Sequence, residues 1–507
     1  MVALNPSTLK QWAVRLMAIL VVAFGLVGCG QKSIETEPPE LDLPPLPREF
    51  RGIWIPTVSN ICWPSASGLS VAQQKAELIA LLDQSASLNL NAVVLQVRSM
   101  CDAFYPSEIE PWSAYLTGVE GQAPSPEYDP LAFAVEEAHR RGLELHAWFN
   151  PYRARSLNAK IKSAPDHITE RRPDLVRRYG RYLWLDPGEP EVQAHTLSVL
   201  LDVVERYDID AVHFDDYFYP YPETDASGKY LEFPDNESWE RFGKDSGLSR
   251  YDWRRRNVDQ FIQLVCQEIR DKKPQLKFGI SPFGIWRPNN PSTIQGLDAY
   301  AMLYADARKW LREGWCDYLA PQLYWPVDHP PTSFPVLLDW WCSENPKGRH
   351  IFPGMNAIKT ASDWEVSEIV RQVELTRAQS KAEGQIFWSA AVLAAVPELV
   401  QELADRSFSE PALAPAFPWL AEGEAIAPSL AASLDESGSL VLSFSTVKNE
   451  PPWKWAIQSL ESGEWQTQIL LSSEASFTFA RKPEAIALFA IDRAGNASLP
   501  AILETVP

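Results

Sequence analysis

Eight short apolar runs, each separated from the next by a segment long enough for a helix, succeed one another between residues 50 and 390. Such a chain is driven towards a parallel sheet, because two parallel strands need a crossover connection of a dozen or more residues. The expected strands are residues 50–58, 92–97, 143–149, 211–214, 277–281, 318–324, 350–354 and 385–390. Amphipathic stretches at 71–88, 130–141, 192–207, 257–272, 304–313 and 364–379 supply the crossover helices. Eight strand–helix units over about 350 residues place the chain in the α/β class, as a (β/α)8 TIM barrel enlarged by loop insertions. The competing architecture, an open doubly wound sheet, calls for a Gly-rich first turn of dinucleotide-binding type, and none is present.

The two ends depart from this pattern. Lys10 and Arg15 precede an apolar run over residues 16–27, which reads as a signal peptide over 1–28 because a spanning helix needs about 20 apolar residues. Its ending, Leu26-Val27-Gly28-Cys29, resembles a bacterial lipobox, which makes Cys29 the expected lipidation site. The chain is then expected on a membrane of the bacterial cell envelope, facing the periplasm or the exterior. Residues 29–47, with five prolines among acidic residues, read as an extended tether to a barrel over 48–406. Residues 407–428 are rich in Pro, Ala and Glu and read as a linker. Period-two runs without helices follow at 440–445, 453–459, 465–471, 476–480 and 485–492, as a small β-sandwich over 429–507 requires. The segment Ile491-Asp492-Arg493-Ala494-Gly495-Asn496 resembles the last strand and turn of a fibronectin type III or immunoglobulin-like module.

Composition narrows the partners. With 46 Lys and Arg against 66 Asp and Glu, the net charge of −20 argues against a nucleic-acid partner, whose binding rests on phosphate neutralisation. The 20 tryptophans are many for 507 residues, and tryptophans left in clefts can stack on the apolar faces of sugar rings. Apart from Cys29 there are five cysteines, with no CxxC pair and no histidines at metal-ligand spacing, so neither a metal nor an organic cofactor is expected. Cys62 and Cys101 both follow strands expected to be neighbours, so a disulfide between them is one reading and five reduced thiols the other.

In TIM barrels the chemistry sits at the C-terminal ends of the strands. The fourth run ends Ala211-Val212-His213-Phe214-Asp215-Asp216. Period-two geometry sends Val212 and Phe214 to the helices, His213 and Asp215 to the barrel axis, and leaves Asp216 where the chain turns into the loop. Adjacent carboxylates in one cavity resist joint ionisation, so one keeps its proton near neutral pH. Ordinary glycosidases place two carboxylates roughly 5 to 9 Å apart, usually on different strands. The adjacent pair instead resembles that of substrate-assisted hexosaminidases, in which one acid protonates the leaving oxygen and its neighbour orients the 2-acetamido group. In a more limited reading Asp216 caps the following loop and Asp215 alone acts. Gln322 and Tyr324 share a face at the end of the sixth run, and Trp388 ends the eighth, where it could floor a sugar subsite. Arg98 ends the second run and Asn150 the third, and both are candidate substrate ligands. His146 and His213 read as hydrogen-bonded core histidines, and Asp102 and Glu223 as loop carboxylates with weaker claims.

These residues carry a resemblance. Residues 50–58 with Trp54, then Trp63-Pro64, Leu95-Gln96-Val97-Arg98, Ala147-Trp148-Phe149-Asn150-Pro151-Tyr152, residues 214–220 and residues 320–325 are together similar to the glycosyl-hydrolase-like 10 family. That family of bacterial envelope barrels includes peptidoglycan hydrolases acting on peptide-free glycan strands. The resemblance implies a barrel, an envelope location and a polysaccharide substrate. The leading expectation is hydrolysis of an N-acetylated amino-sugar polymer, peptidoglycan glycan, with Asp215 and Asp216 catalytic. Trp54, Arg98, Asn150, Gln322, Tyr324 and Trp388 are the expected substrate-binding residues. Alternatives are an exopolysaccharide (polyglucosamine) hydrolase or a non-catalytic glycan-binding envelope lipoprotein.

Overall fold

A computed structural model describes residues 41–420, 427–446 and 451–504. The expected signal peptide, Cys29 and most of the tether lie outside the described residues. The elements that follow all belong to one compact unit, Pro45–Pro507.

Its centre is one parallel sheet. The strands are β1 (Phe50–Ile55), β2 (Ala92–Arg98), β3 (Glu144–Phe149), β4 (Ala211–Phe214), β5 (Lys277–Ile280), β6 (Tyr318–Leu319), β7 in two pieces (His350–Ile351 and Gly354–Met355) and β8 (Gly384–Phe387). Each pairs with its sequence neighbour. The second piece of β7 pairs with β8, and β8 pairs with β1, so the ladder returns to its first strand as a TIM-like α/β barrel. Between strands run α1 (Val71–Ser87), α2 (Pro130–Arg140), α3 (Pro190–Arg206), α4 (Arg250–Lys272), α5 (Ala307–Glu313), α6 (Phe334–Ser343) and α7 (Val366–Ala378). Local chemistry starts them: Ser70 and Gln73 form a capping box on α1, and Asp129 caps α2 ahead of Pro130.

Prolines explain why several strands stop short of expectation. Pro56 follows β1, Pro321 reduces the end of the sixth run to isolated bridges at Gln322, and Pro353 splits β7. A proline has no N–H to give the ladder. Helix α6 was not expected, because its run is too uniformly apolar to show a polar face. It nevertheless buries Phe334, Leu337, Leu338, Trp341 and Cys342, one helical stripe. An unexpected three-stranded antiparallel sheet, Arg153–Ser156, Val176–Tyr179 and Tyr182–Leu185, sits in the loop after β3. Two of its strands are rich in arginine and the third, Tyr182–Leu185, is a four-residue apolar run, so none shows a clear apolar alternation.

Odd and even strand residues serve two cores. Val93, Leu95, Leu145, Val212, Phe214, Phe278 and Ile280 pack under the helices, while Phe50, Trp54, Val94, Trp148, Tyr318 and Ile386 fill the barrel interior. The stretch expected to be a linker is packed where it is described. Phe408, Leu413, Phe417 and Leu420 are buried, and Phe417 and Leu420 join the interior cluster. His350 bonds the Ala416 carbonyl, and the Trp419 indole donates to Asp317 at 2.8 Å.

The C-terminal region is all-β. Ser429–Leu434, Leu440–Ser445 and Ser476–Phe479 form one antiparallel sheet; Lys454–Glu461, Glu464–Leu471, Ala485–Ile491 and Ala501–Glu504 form another. Leu442, Phe444 and Phe479 of the first share a core with Trp455, Ile457, Ile486 and Leu488 of the second. The two strands absent from the sequence reading, Ser429–Leu434 and Ala501–Glu504, are mostly exposed, so no apolar alternation marks them.

Candidate active site

At the C-terminal ends of the strands lies a cavity of about 270 Å³, walled by Trp54, Trp148, Trp388, Tyr324, Gln322, Arg153 and both carboxylates of the fourth run. Asp215 and Asp216 are 5% and 3% exposed. Asp215 accepts from the Trp148 indole at 3.1 Å and from the Tyr217 N–H at 3.1 Å. Asp216 accepts from the Tyr221 hydroxyl, and Gln322 also donates towards it.

Burial, then the charge of Asp216, pushes Asp215 up to about 8, while Arg153 pulls the other way. Burial also raises Asp216, to about 6, against the bond from Tyr221. The pair therefore retains one proton at neutral pH, and Asp215 holds it. The Tyr324 phenol, raised by burial and by both carboxylates, stays protonated beside them.

The aromatic wall is built around Trp388, whose ring centroid is 6.1 Å from Trp54, 6.1 Å from Trp148 and 6.5 Å from Tyr324. Trp54 is in turn fixed from beneath by a hydrogen-bonded chain. Its indole N–H donates to His213 Nε2 at 3.2 Å, which forces the proton of that neutral ring onto Nδ1. His213 Nδ1 and His146 Nδ1 both lie 2.8 Å from the Tyr318 hydroxyl. His213 donates to that oxygen, and His146 Nδ1 is its second partner. The far nitrogen of His146 then donates to Glu144 at 3.0 Å, and Glu144 is paired with Lys277 at 2.6 Å. Burial and the neighbouring His146 hold His213 well below the ordinary histidine range, as a neutral link needs.

Of the expected site residues, Asp215, Asp216, Trp54, Gln322, Tyr324 and Trp388 converge on this cavity. Arg98 and Asn150 do not line it. Arg98 is fully buried and grips Glu110 with two nitrogens, at 2.7 and 2.5 Å. Against its burial, Arg98 and His195 hold Glu110 down at about 2. Asn150 donates to the Ser99 carbonyl and accepts from the Trp148 indole, so it orients a wall residue from behind. Asp102 is occupied with the Ser99 and Met100 N–H groups, and Glu223 accepts from the Arg181 N–H; neither borders the cavity. Cys62 and Cys101 are both free thiols. Cys62 sits against Ser389 and Cys101 against the Arg98 guanidinium, so the two side chains face different neighbours.

Sequence reasoning passed over several wall residues. Trp148 and Gln96 were detectable, since each shares the inward parity of its strand with an expected site residue or core residue. Asn356 comes from a loop and Arg153 from a four-residue strand too short to show a period, and Tyr221, which bonds Asp216 from behind the wall, also comes from a loop. Gln96 accepts from the Thr57 and Val58 N–H groups, which fixes its amide and leaves Nε2 without a partner among the described residues.

The family model described as glycosyl hydrolase-like 10 matches residues 49–368, which include the acid pair and most of the cavity wall. The chain is 43% identical over 409 residues to the glycosyl hydrolase YngK of Bacillus subtilis (strain 168), covering 78% of this chain and 79% of that protein. It is 36% identical over 419 residues to the glycosyl hydrolase DigH of Escherichia coli (strain K12), covering 75% and 93%. Among solved structures, the glycoside hydrolase domain of PgaB (BpsB) from Bordetella bronchiseptica superposes with a TM-score of 0.47 at 13% identity, covering 71% of this chain and 98% of that one. The family match over more than half the chain and the identity to two relatives over most of their length lead to one conclusion: this chain belongs to the glycosyl hydrolase-like 10 family and is a glycosidase.

Proposed function

We propose that the enzyme cleaves an N-acetylated amino-sugar polymer, the glycan strands of peptidoglycan, with Asp215 as proton donor and Asp216 orienting the substrate's acetamido group. The observation that carries this is the adjacent, buried pair beneath an aromatic wall, with its proton on Asp215 at neutral pH. In the mechanism Asp215 gives its proton to the glycosidic oxygen as the C–O bond breaks. Asp216, a carboxylate, accepts from the acetamide N–H and so turns the acetamide oxygen towards the anomeric carbon. Water then opens the resulting ring and returns a proton to Asp215. Trp388, half-buried and packed against Trp54 and Trp148, offers an apolar face for the sugar. Lipidation at Cys29 would hold the enzyme on an envelope membrane, where that polymer lies, and the C-terminal sheets would form a fibronectin type III or immunoglobulin-like module.

The test is mass spectrometry of peptide-free peptidoglycan strands incubated with the enzyme and with Asp215→Asn. Shortened strands are expected with the parent alone. Intact strands with both proteins would sink the substrate assignment, and equal cleavage by both would remove Asp215 from the mechanism.

A further inference from the structure

We propose that a second cavity beside the acid pair is a subsite for a carboxylated sugar unit further along the same strand, an inference that rests on the glycosidase reading of that pair. The cavity, of about 460 Å³, is larger than the one holding the carboxylates. One loop borders both. Tyr221 faces Asp216, whereas its flanking residues Pro220 and Pro222 line the second cavity. A polymer leaving the first site therefore meets the second one loop away.

Its chemistry suits a charged sugar. Tyr230 and Tyr251 line it and remain 60% and 51% exposed, unusual for rings of that size and suited to stacking on a pyranose face. Tyr251 is not a loose side chain. It stacks on Tyr304 with 10° between planes, and the buried Arg254, bonded to Tyr304 and to Asp235, lies beneath both rings. A second ring, Tyr300, carries two guanidinium groups, Arg255 at 4.1 Å and Arg287 at 4.7 Å from its centroid. Two arginines converging on one tyrosine at a cavity wall stand out in a chain of net charge −20. Arg255 is held by Asp252 and the Tyr300 carbonyl. Arg287 gives only Nε to Asp298, at 3.2 Å, which leaves its two terminal nitrogens without a bond among the described residues. A guanidinium edge free in this way matches a carboxylate with two parallel hydrogen bonds. The acidic residue on the wall, Glu232, is engaged by Arg254 and the Tyr251 hydroxyl. The ligand is thus a sugar whose ring lies on tyrosine and whose carboxylate meets Arg287, as the lactyl ether acid of a peptide-free amino-sugar strand would.

Binding to the full chain carrying Asp215→Asn tests this by titration calorimetry. The probes are peptide-free amino-sugar octasaccharides with free lactyl carboxylates, or with the same carboxylates reduced to alcohols. The free acid is expected to bind about tenfold more tightly than the reduced form, the worth of one charge-assisted contact. Adding Arg287→Gln should abolish that difference, while adding Tyr251→Ala should weaken both forms alike. Equal binding of the two forms, or a difference that survives Arg287→Gln, overturns the subsite. Wild-type enzyme cleaving the same strands in parallel would leave the glycosidase reading standing in that case. Absence of both cleavage and binding would overturn the subsite together with the reading beneath it.

Discussion

Asp215 and Asp216 are neighbours in sequence and differ in what holds them, and that difference sets the expected kinetics. Replacing Asp215 with Asn should lower kcat by roughly 10²- to 10⁴-fold, the usual worth of a positioned proton donor, while strand binding persists. The pH profile follows from the same geometry. Activity needs Asp215 protonated and Asp216 ionised, so it should fall as pH rises through about 8 and fall again as pH drops through about 6. Tyr221→Phe removes the donor that lowers Asp216. The acidic limb of kcat/KM should then move to higher pH with the alkaline limb little changed; an unmoved acidic limb would show that Asp216 does not titrate there.

Strand ends divide their residues between contact and support. Arg98 ends β2 as Asp215 follows β4, yet its guanidinium turns to Glu110, His195 completes that cluster, and the Asn150 and Pro151 carbonyls accept the remaining N–H groups. Arg98→Gln would leave the buried Glu110 carboxylate with His195 as its one remaining partner and should cost about 3 to 5 kcal/mol in denaturant unfolding. Protein that still folds should keep its KM; a KM raised without loss of stability would make Arg98 a substrate ligand after all. In β5 the constraint is steric. A Cβ on Gly279 would fall 1.8 Å from the Tyr318 ring, the middle link between His213 and His146. Gly279→Ala should therefore cost about 1 to 3 kcal/mol and lower kcat, because Trp54 loses the chain that fixes it. Thermal unfolding and turnover together check this, and an unchanged enzyme would mean that Tyr318 can move freely.

The stretch after residue 406 and the C-terminal sheets close the floor of the barrel, at the end opposite the acid pair. Phe417 and Leu420 enter the interior cluster, and Arg493 reaches Asp208 and Asp210 at 3.0 and 3.1 Å. Although burial opposes it, Arg493 with His139 and Lys277 holds the Asp210 carboxyl well below the usual carboxylate range. A carboxyl depressed on folding stabilises the protein above its unfolded value of about 4 and loses that contribution as pH falls towards the folded value. Arg493→Ala should thus cost about 1 to 3 kcal/mol in urea at pH 7 and less at pH 3. An equal cost at both pH values would assign the loss to packing on Trp453, over which the guanidinium also lies.

Alternation of apolar runs with amphipathic stretches determined the barrel, because a strand of period two and a helix of period 3.6 bury different residues and both patterns are local. The same parity placed Asp215 on the axis and Gln322 and Tyr324 on one face, whereas Trp388 followed from its place at a strand end and Trp54 from the family resemblance. What local pattern does not encode is which partner a side chain finds across the chain. Arg98 reads as a ligand until Glu110 lies beside it, and Asn150 until Ser99 and Trp148 occupy its amide. The Pro-rich stretch after residue 406 reads as a linker because prolines suit extended chain, but its scattered Phe408, Leu413 and Phe417 find apolar surface that only the closed barrel presents. Tyr221 and Asn356 reach the site from loops and Arg153 from a four-residue strand, none of them long or regular enough to show a period, so tertiary structure alone decided that they belong to it.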